Sequence, residues 1–394
     1  MTTALDRLRR VTRADVYKAS TLAGHLTRDT QGTVTFHYTQ GYCAAPVAST
    51  LPVDGRPVVA PGGGLPPFFS GLLPEGHRLT VLRTATKTSA DDELTLLLAV
   101  GADAPGDVQI VPAGETPHEA PALAAATPGA LDFAAIADIP DRRALPGVQA
   151  KASASMVNVP LALHGRSAIL KLDPPEHPHL VVNEALHLEG ARRLGIPVSE
   201  HDVVTDRHGR PGLLVRRFDR VDVDDGAPAR LALEDGAQAL GIYPAQKYAV
   251  TTEEVITALT ALTPAAPVAA RNLYLQFLYA WLTGDGDLHA KNVSVLQGTD
   301  GRWQVAPMYD VPCTVLYRDM TMALTVDGRD RTLRRRHWEA LADAIGLPQR
   351  AAEAAMRKAL AAAEAVDLRR LPFEGSPLKG AERELRYRRG ELRG

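Results

Sequence analysis

Three residues constrain this chain more than any other feature: Asp287, Asn292 and Asp310. The first two stand in Gly284-Asp285-Gly286-Asp287-Leu288-His289-Ala290-Lys291-Asn292, and the third in Met308-Tyr309-Asp310-Val311. Between them the chain reads as a β-hairpin. Val293 and Val295 alternate with polar residues, Thr299-Asp300-Gly301 supplies a turn, and Trp303 and Val305 alternate on the return. A hairpin brings its two ends together, so Asn292 and Asp310 are expected side by side. Asp, Asn and Gly are also ordinary turn residues, and the six-residue spacing alone leaves both readings open. The hairpin and the second Asp favour chemistry. Phosphoryl transfer asks a protein for a carboxylate near the acceptor hydroxyl and for oxygen ligands to magnesium. Kinase catalytic loops place an Asp five positions before an Asn, with a metal-binding Asp further on.

The 394 residues allow two or three domains, and 45% hydrophobic content allows a sizeable core. The formal charge, 44 − 46 = −2, gives little non-specific attraction to nucleic acid or anionic membrane. Cys43 and Cys313 lie far apart and lack metal-ligand spacing, which fits a reducing compartment. Met1 to Arg7 holds no apolar run suited to a signal peptide, and the run from Leu94 to Val100 is too short to span a membrane. The expectation is a cytoplasmic protein with no membrane segment.

In chain order, residues 14 to 38 alternate as short strands, with Val16, Leu26, Val34 and Phe36 among the apolar positions. Residues 44 to 67 read as loop. Pro67 to Gly76 carries an aromatic and leucine cluster that reads as a buried helix start ended by Pro74 and Gly76, and simply as core. Asp91 and Asp92 open a helix through Val100, and Val108 to Val111 is a strand. The Ala- and Pro-rich stretch 113 to 130 reads as a linker. A turn with one glycine, Leu145 to Lys151, precedes a strand from Ser153 to Leu163. Lys171 sits inside the apolar strand Ile169-Leu170-Lys171-Leu172, either facing water on an edge strand or buried, where an ammonium needs a partner or a ligand phosphate. Either Glu184 or Glu189, on the helix from Val181 to Leu194, is within reach as that partner. Glu184, in the first turn, is the preferred one. Leu213 to Phe218 is a further strand, and Glu234-Asp235 starts a helix closed by Gly241. From residue 252 the pattern is mostly helical, residues 268 to 283 form a central core helix, and the Arg-rich tail after 382 reads as solvated.

Taken together, these pieces resemble the HipA family of bacterial toxin kinases, from about residue 14 to about residue 365. The landmarks are Phe68 to Gly76; Pro146-Gly147-Val148-Gln149-Ala150-Lys151; Ile169 to Leu172; Asn183-Glu184; Val215 to Arg220; Glu234 to Gly241 with Gln246-Lys247-Tyr248; Asp287 to Asn292; and Tyr309-Asp310. The resemblance implies an α+β, kinase-like two-lobe fold. It divides into a β-rich N-terminal subdomain at 1–115, a nucleotide-binding α/β lobe at 130–250 and an all-α C-terminal lobe at 251–394. It implies ATP and Mg2+, with Asp287 as catalytic base and Asn292 and Asp310 as metal ligands. Val148, Gln149, Lys151, Lys171, Glu184, Arg217, Phe218 and His289 are the implied ATP-binding residues. Lys171 and His289 would lie by the phosphates, and the backbone at Arg217 and Phe218 by the adenine. The implied substrate is a protein hydroxyl, in the family's best-known case on an aminoacyl-tRNA synthetase. The implied partner is a HipB-like helix-turn-helix antitoxin, through which operator DNA is reached.

Three positions depart from the family pattern. Ala144 stands where a serine commonly accepts an inactivating phosphate, although Ser153 and Ser155 lie nearby. Arg216 stands where a Glu is common, and Leu233 where a polar residue is frequent. Two other functions compete with a toxin kinase. One is a small-molecule phosphotransferase of the aminoglycoside or choline type, whose catalytic loop also resembles Asp287-Leu288-His289 with Asn292. The other is a catalytically inactive co-repressor scaffold.

Overall fold

The computed structural model describes residues 4–60, 62–118, 127–137, 157–163, 166–222 and 228–394. After the short α1 (Ala4–Leu8), alternating side chains build β1 (Arg13–Lys18), β2 (Thr21–Arg28), β3 (Val34–Tyr38) and β4 (Val58–Ala60) as an antiparallel meander. Ala14, Val16, Leu26, Val34 and Phe36 are buried on one face of it. Three helices supply apolar residues to the same core: α2 (Pro67–Gly71), α3 (Gly76–Thr86) and α4 (Glu93–Val100). Asp92 caps α4 by accepting from the Thr95 amide. β5 (Val108–Pro112) then pairs with β1, so the sheet order is β4-β3-β2-β1-β5. The helix expected to run from Pro67 to Pro74 ends at Gly71 instead. Gly76, at φ 56°, turns the chain into a second helix rather than closing the first.

After α5 (Phe133–Ala137) come β6 (Val157–Leu163), β7 (Arg166–Leu172), α6 (Leu180–Ala191), β8 (His201–Thr205) and β9 (Pro211–Arg216). The four strands form an antiparallel sheet of order β6-β7-β9-β8, against which α6 packs. β10 (Arg220–Val221) and β11 (Ala229–Arg230) make a small ribbon. Beside it, the buried Arg217, Arg220, Asp103 and Asp219 form a cluster with the half-buried Arg230. Arg217 Nη1 is 3.0 Å from Asp103 Oδ1, Arg220 Nη1 is 2.6 Å from Asp219 Oδ2, and Arg230 Nη2 is 3.0 Å from Asp103 Oδ1. Asp103 lies between α4 and β5, so this cluster ties the N-terminal unit to the second sheet.

The last region is mainly helical: α7 (Gly236–Leu240), α8 (Thr252–Ala261), α9 (Ala266–Thr283), α10 (Arg335–Ala344), α11 (Gln349–Glu364) and α12 (Gly375–Arg393). α9 is its axis, with Leu273, Tyr274, Phe277, Leu278 and Trp281 all buried. Two expectations need correcting here. The region is not all-α. The predicted hairpin is present as β13 (Ser294–Gln297) and β14 (Trp303–Val305), and β13 also pairs with β12 (Leu233–Asp235), placing a three-stranded sheet among the helices. Nor is the Arg-rich tail solvated throughout. Ala381, Leu385, Arg388 and Leu392 recur at helical spacing and bury one face of α12. The Arg388 guanidinium stacks 3.8 Å from the Trp281 ring centroid and donates to the carbonyls of Trp281 and Met320.

Candidate active site

α9 delivers the chain into the acidic loop. Gly284, at φ 81°, caps it and turns the backbone away. At Gly286 a Cβ would stand 2.7 Å from both the Thr314 hydroxyl and the Thr321 carbonyl, so only glycine fits there. The Gly286 amide donates to Thr314 Oγ1, and the Asp287 amide to Asp285 Oδ1, both at 2.8 Å. These contacts fix the backbone on which Asp287 rides. Its Oδ1 accepts a 2.7 Å hydrogen bond from the Tyr248 hydroxyl. Asn292 Nδ2 donates to the Asp287 carbonyl at 3.0 Å, so the atom Asn292 can offer a ligand is its amide oxygen.

Asp310 arrives from the far end of the hairpin. Met308 exchanges backbone hydrogen bonds with Pro197 and Ser199, just beyond α6. Asn183, on α6, holds Cys313 by its amide and carbonyl, both at 3.0 Å. The next residue on α6 is Glu184. Lys171 Nζ lies 2.8 and 2.9 Å from the two Glu184 oxygens and 2.9 Å from Asp310 Oδ1. Burial pushes the Lys171 ammonium toward deprotonation. Asp310 and Glu184 outweigh it and raise its pKa, so it stays charged. Of the two glutamates the sequence left open, Glu184 is the partner, while Glu189 pairs with Arg370 at the surface. Asp310 has φ 56°, a conformation that costs a residue with a side chain roughly 1–2 kcal/mol.

Lys171, Glu184, Phe218, Asn292 and Asp310 line one cavity, with Ile169, Val215, Leu233 and Tyr309 as its apolar wall. The Phe218 and Tyr309 rings lie 5.5 Å apart. Leu233, the departure noted in the sequence, belongs to that wall. Arg217 also borders the cavity, but its guanidinium is turned into the Asp103–Asp219 cluster. Arg216 pairs with Glu200 and Asp222 at the surface. Asp287 and His289 are buried and do not line the cavity. Burial, together with Lys247 and Lys291, holds the His289 pKa well below its ordinary value, so the imidazole is neutral. Its Nδ1 accepts from the Lys291 amide at 3.2 Å, and its ring meets Tyr248 edge-on. Through these contacts it supports the loop that carries Asp287. Val148, Gln149 and Lys151, with Ala144, Ser153 and Ser155, lie outside the described residues.

For magnesium the available donors are the Asp310 carboxylate and the Asn292 amide oxygen. Among the described residues, no three His, Cys, Asp or Glu side chains converge on one point. A sparse set of hard oxygens suits Mg2+, which keeps several waters and shares phosphate oxygens of a bound nucleotide.

Sequence reasoning missed two contributors. One is Tyr248, quoted only as part of a landmark. The other is Glu75, in the stretch read as plain core. Glu75 Oε2 is 2.7 Å from Lys247 Nζ and its Oε1 is 2.6 Å from Lys291 Nζ, while Lys291 also donates to the Gly71 carbonyl. One carboxylate of the N-terminal unit thus clamps the residues next to both Tyr248 and Asn292. Nothing in the sequence around Lys247 or Lys291 points to an acid some two hundred residues upstream.

Comparison with known proteins shows the family. The family described as HipA N-terminal domain matches residues 14–111, and that described as HipA-like C-terminal domain matches residues 143–366. The Sinorhizobium fredii protein named "Putative kinase Y4mE" is 30% identical over 336 residues, covering 78% of this chain and 79% of its own. The Shewanella oneidensis serine/threonine-protein kinase toxin HipA is 27% identical over 370 residues, covering 85% and 84%. A solved Shewanella oneidensis complex of HipA, HipB and operator DNA superposes with a TM-score of 0.75 at 21% identity, over 96% of both chains. With both domains matched in order and the same fold throughout, the chain belongs to the HipA family.

Proposed function

We propose that this chain is an ATP-dependent serine/threonine-protein kinase of the toxin type, which transfers the ATP γ-phosphoryl to a protein hydroxyl. The observation that carries the reading is the Lys171–Glu184–Asp310 ion cluster, which shares a cavity with Asn292 and sits one residue contact from Asp287. In this reading Lys171 holds nucleotide phosphate, and Glu184 keeps the ammonium aimed. The apolar wall takes the adenine. Asn292 and Asp310 hold Mg2+, which neutralises phosphate charge when bound. Asp287 accepts the proton of the attacking hydroxyl.

The partner we infer is a small helix-turn-helix antitoxin, as in the solved relative assembled with HipB and operator DNA. A net charge of −2 gives this chain little grip on DNA, so operator binding is assigned to the partner. With Ala144 unable to accept a phosphate, control rests on that antitoxin rather than on self-phosphorylation of the nucleotide loop. By family analogy the substrate is an aminoacyl-tRNA synthetase, and the consequence is arrested translation.

The test is to incubate the purified chain with ATP, Mg2+ and the proteome of its source cells, and to map new phosphosites by mass spectrometry. The expected result is phosphate on serine or threonine of a few proteins, absent with Asp287→Ala. Phosphate found only on small molecules would favour the small-molecule phosphotransferase, and no transfer at all the scaffold.

A further inference from the structure

A general base must meet the acceptor hydroxyl at about 2.6–3.2 Å. Asp287 already meets a hydroxyl at that distance, and it belongs to this chain: Tyr248 Oη donates to Asp287 Oδ1 at 2.7 Å. The phenol is held there firmly. Its ring lies 5.0 Å from that of His289, edge to face. The neighbouring Lys247 is buried on Glu75, and its carbonyl accepts from the Ala290 amide at 3.3 Å. Burial, and then the Asp287 charge, push the phenol pKa upward, so Tyr248 remains a hydrogen donor.

A base beside bound ATP has two competing acceptors, a protein hydroxyl and water. Water is abundant and small enough to reach any open carboxylate oxygen. We propose, resting on the kinase reading above, that Tyr248 is a specificity-determining residue: its hydroxyl stands in for the acceptor on Asp287, keeps water off that oxygen, and is displaced only when a protein hydroxyl docks. The reaction it suppresses is hydrolysis. There, water oxygen bonds to the γ-phosphorus, the bond from phosphorus to the β–γ bridging oxygen breaks, and ADP leaves with that electron pair. The water proton passes to Asp287 and then to solvent. Until a docking protein displaces it, the Tyr248 hydroxyl blocks the step by occupying the place where water must stand.

Removing the hydroxyl while keeping the ring separates this role from simple support of Asp287. With the full chain, ATP and Mg2+ but no acceptor protein, Tyr248→Phe is expected to release inorganic phosphate at least about tenfold faster than wild type. That is a modest share of the ~10²–10⁴ a general base contributes. Calorimetric ATP affinity should stay within about twofold, because Tyr248 does not line the cavity. Adding Asp287→Asn should abolish the gain. If melting shows that the Phe variant is unfolded, Tyr248→Leu, which also lacks the hydroxyl, is read the same way. Phosphate release that is unchanged or lower while ATP still binds would overturn the proposal and leave the kinase reading intact. Failure of both proteins to bind ATP would overturn the kinase reading and this proposal with it.

Discussion

Asp287→Ala is expected to cut protein phosphorylation by at least ~10²–10⁴-fold, the range a positioned general base contributes, while ATP affinity stays within about twofold. The split follows from where the residue sits. Asn292 bonds the Asp287 backbone carbonyl, which alanine retains, so the amide oxygen presented to the cavity keeps its place. The carboxylate itself does not line the cavity in which the nucleotide is proposed to bind. Its loss removes the proposed proton acceptor, to which the Tyr248 hydroxyl donates. Single-turnover phosphorylation, measured beside calorimetric ATP binding, checks both halves. Wild-type rates in the alanine variant would remove Asp287 from the chemistry.

The second large effect is structural. Glu75→Ala is expected to destabilise the protein by roughly 3–5 kcal/mol, because Lys247 and Lys291 would remain buried without their carboxylate. Burial pushes the Glu75 carboxyl upward, but the charges and hydrogen bonds of Lys291 and Lys247 outweigh it and hold it down to about 2. A folded pKa below the ordinary 4.5 means that the unfolded chain takes up this proton first. The stability from the clamp is therefore complete above about pH 4.5 and is lost as pH falls toward 2. Urea melts of wild type and Glu75→Ala should differ most at pH 7 and converge at acid pH. A difference below about 1 kcal/mol at pH 7, the scale of an exposed pair, would show that the clamp is not a buried ion cluster.

What could be read from the sequence was whatever local spacing carries. The Asp287–Asn292 interval, the hairpin to Asp310 and the lysine within an apolar strand each lie in a window of a few residues. Their placement follows from strand alternation and turn chemistry. The choice between Glu184 and Glu189 was open because both lie on one helix. It is settled by Asn183, whose hold on Cys313 turns the face bearing Glu184 toward Asp310. Glu75 was missed because its partners are 172 and 216 residues away, and the buried link from Arg217 to Asp103 spans 114. No local pattern announces pairs so distant. Arg388 was hidden differently: its buried face is marked by Ala381, Leu385 and Leu392, but the arginines around them dominate the composition. The third strand of the small sheet, Leu233–Asp235, is too short to show alternation and exists only because β13 offers it an edge.

Calorimetry decides whether the cavity between Lys171, Asn292 and Asp310 is the proposed magnesium–nucleotide site. ATP should bind the wild-type chain in Mg2+ and markedly more weakly in EDTA. Asp310→Asn should lose most of the Mg2+-dependent part, and Lys171→Met should weaken binding with or without the metal. ATP affinity that is the same with and without Mg2+, and untouched by either substitution, would place the nucleotide and its metal elsewhere.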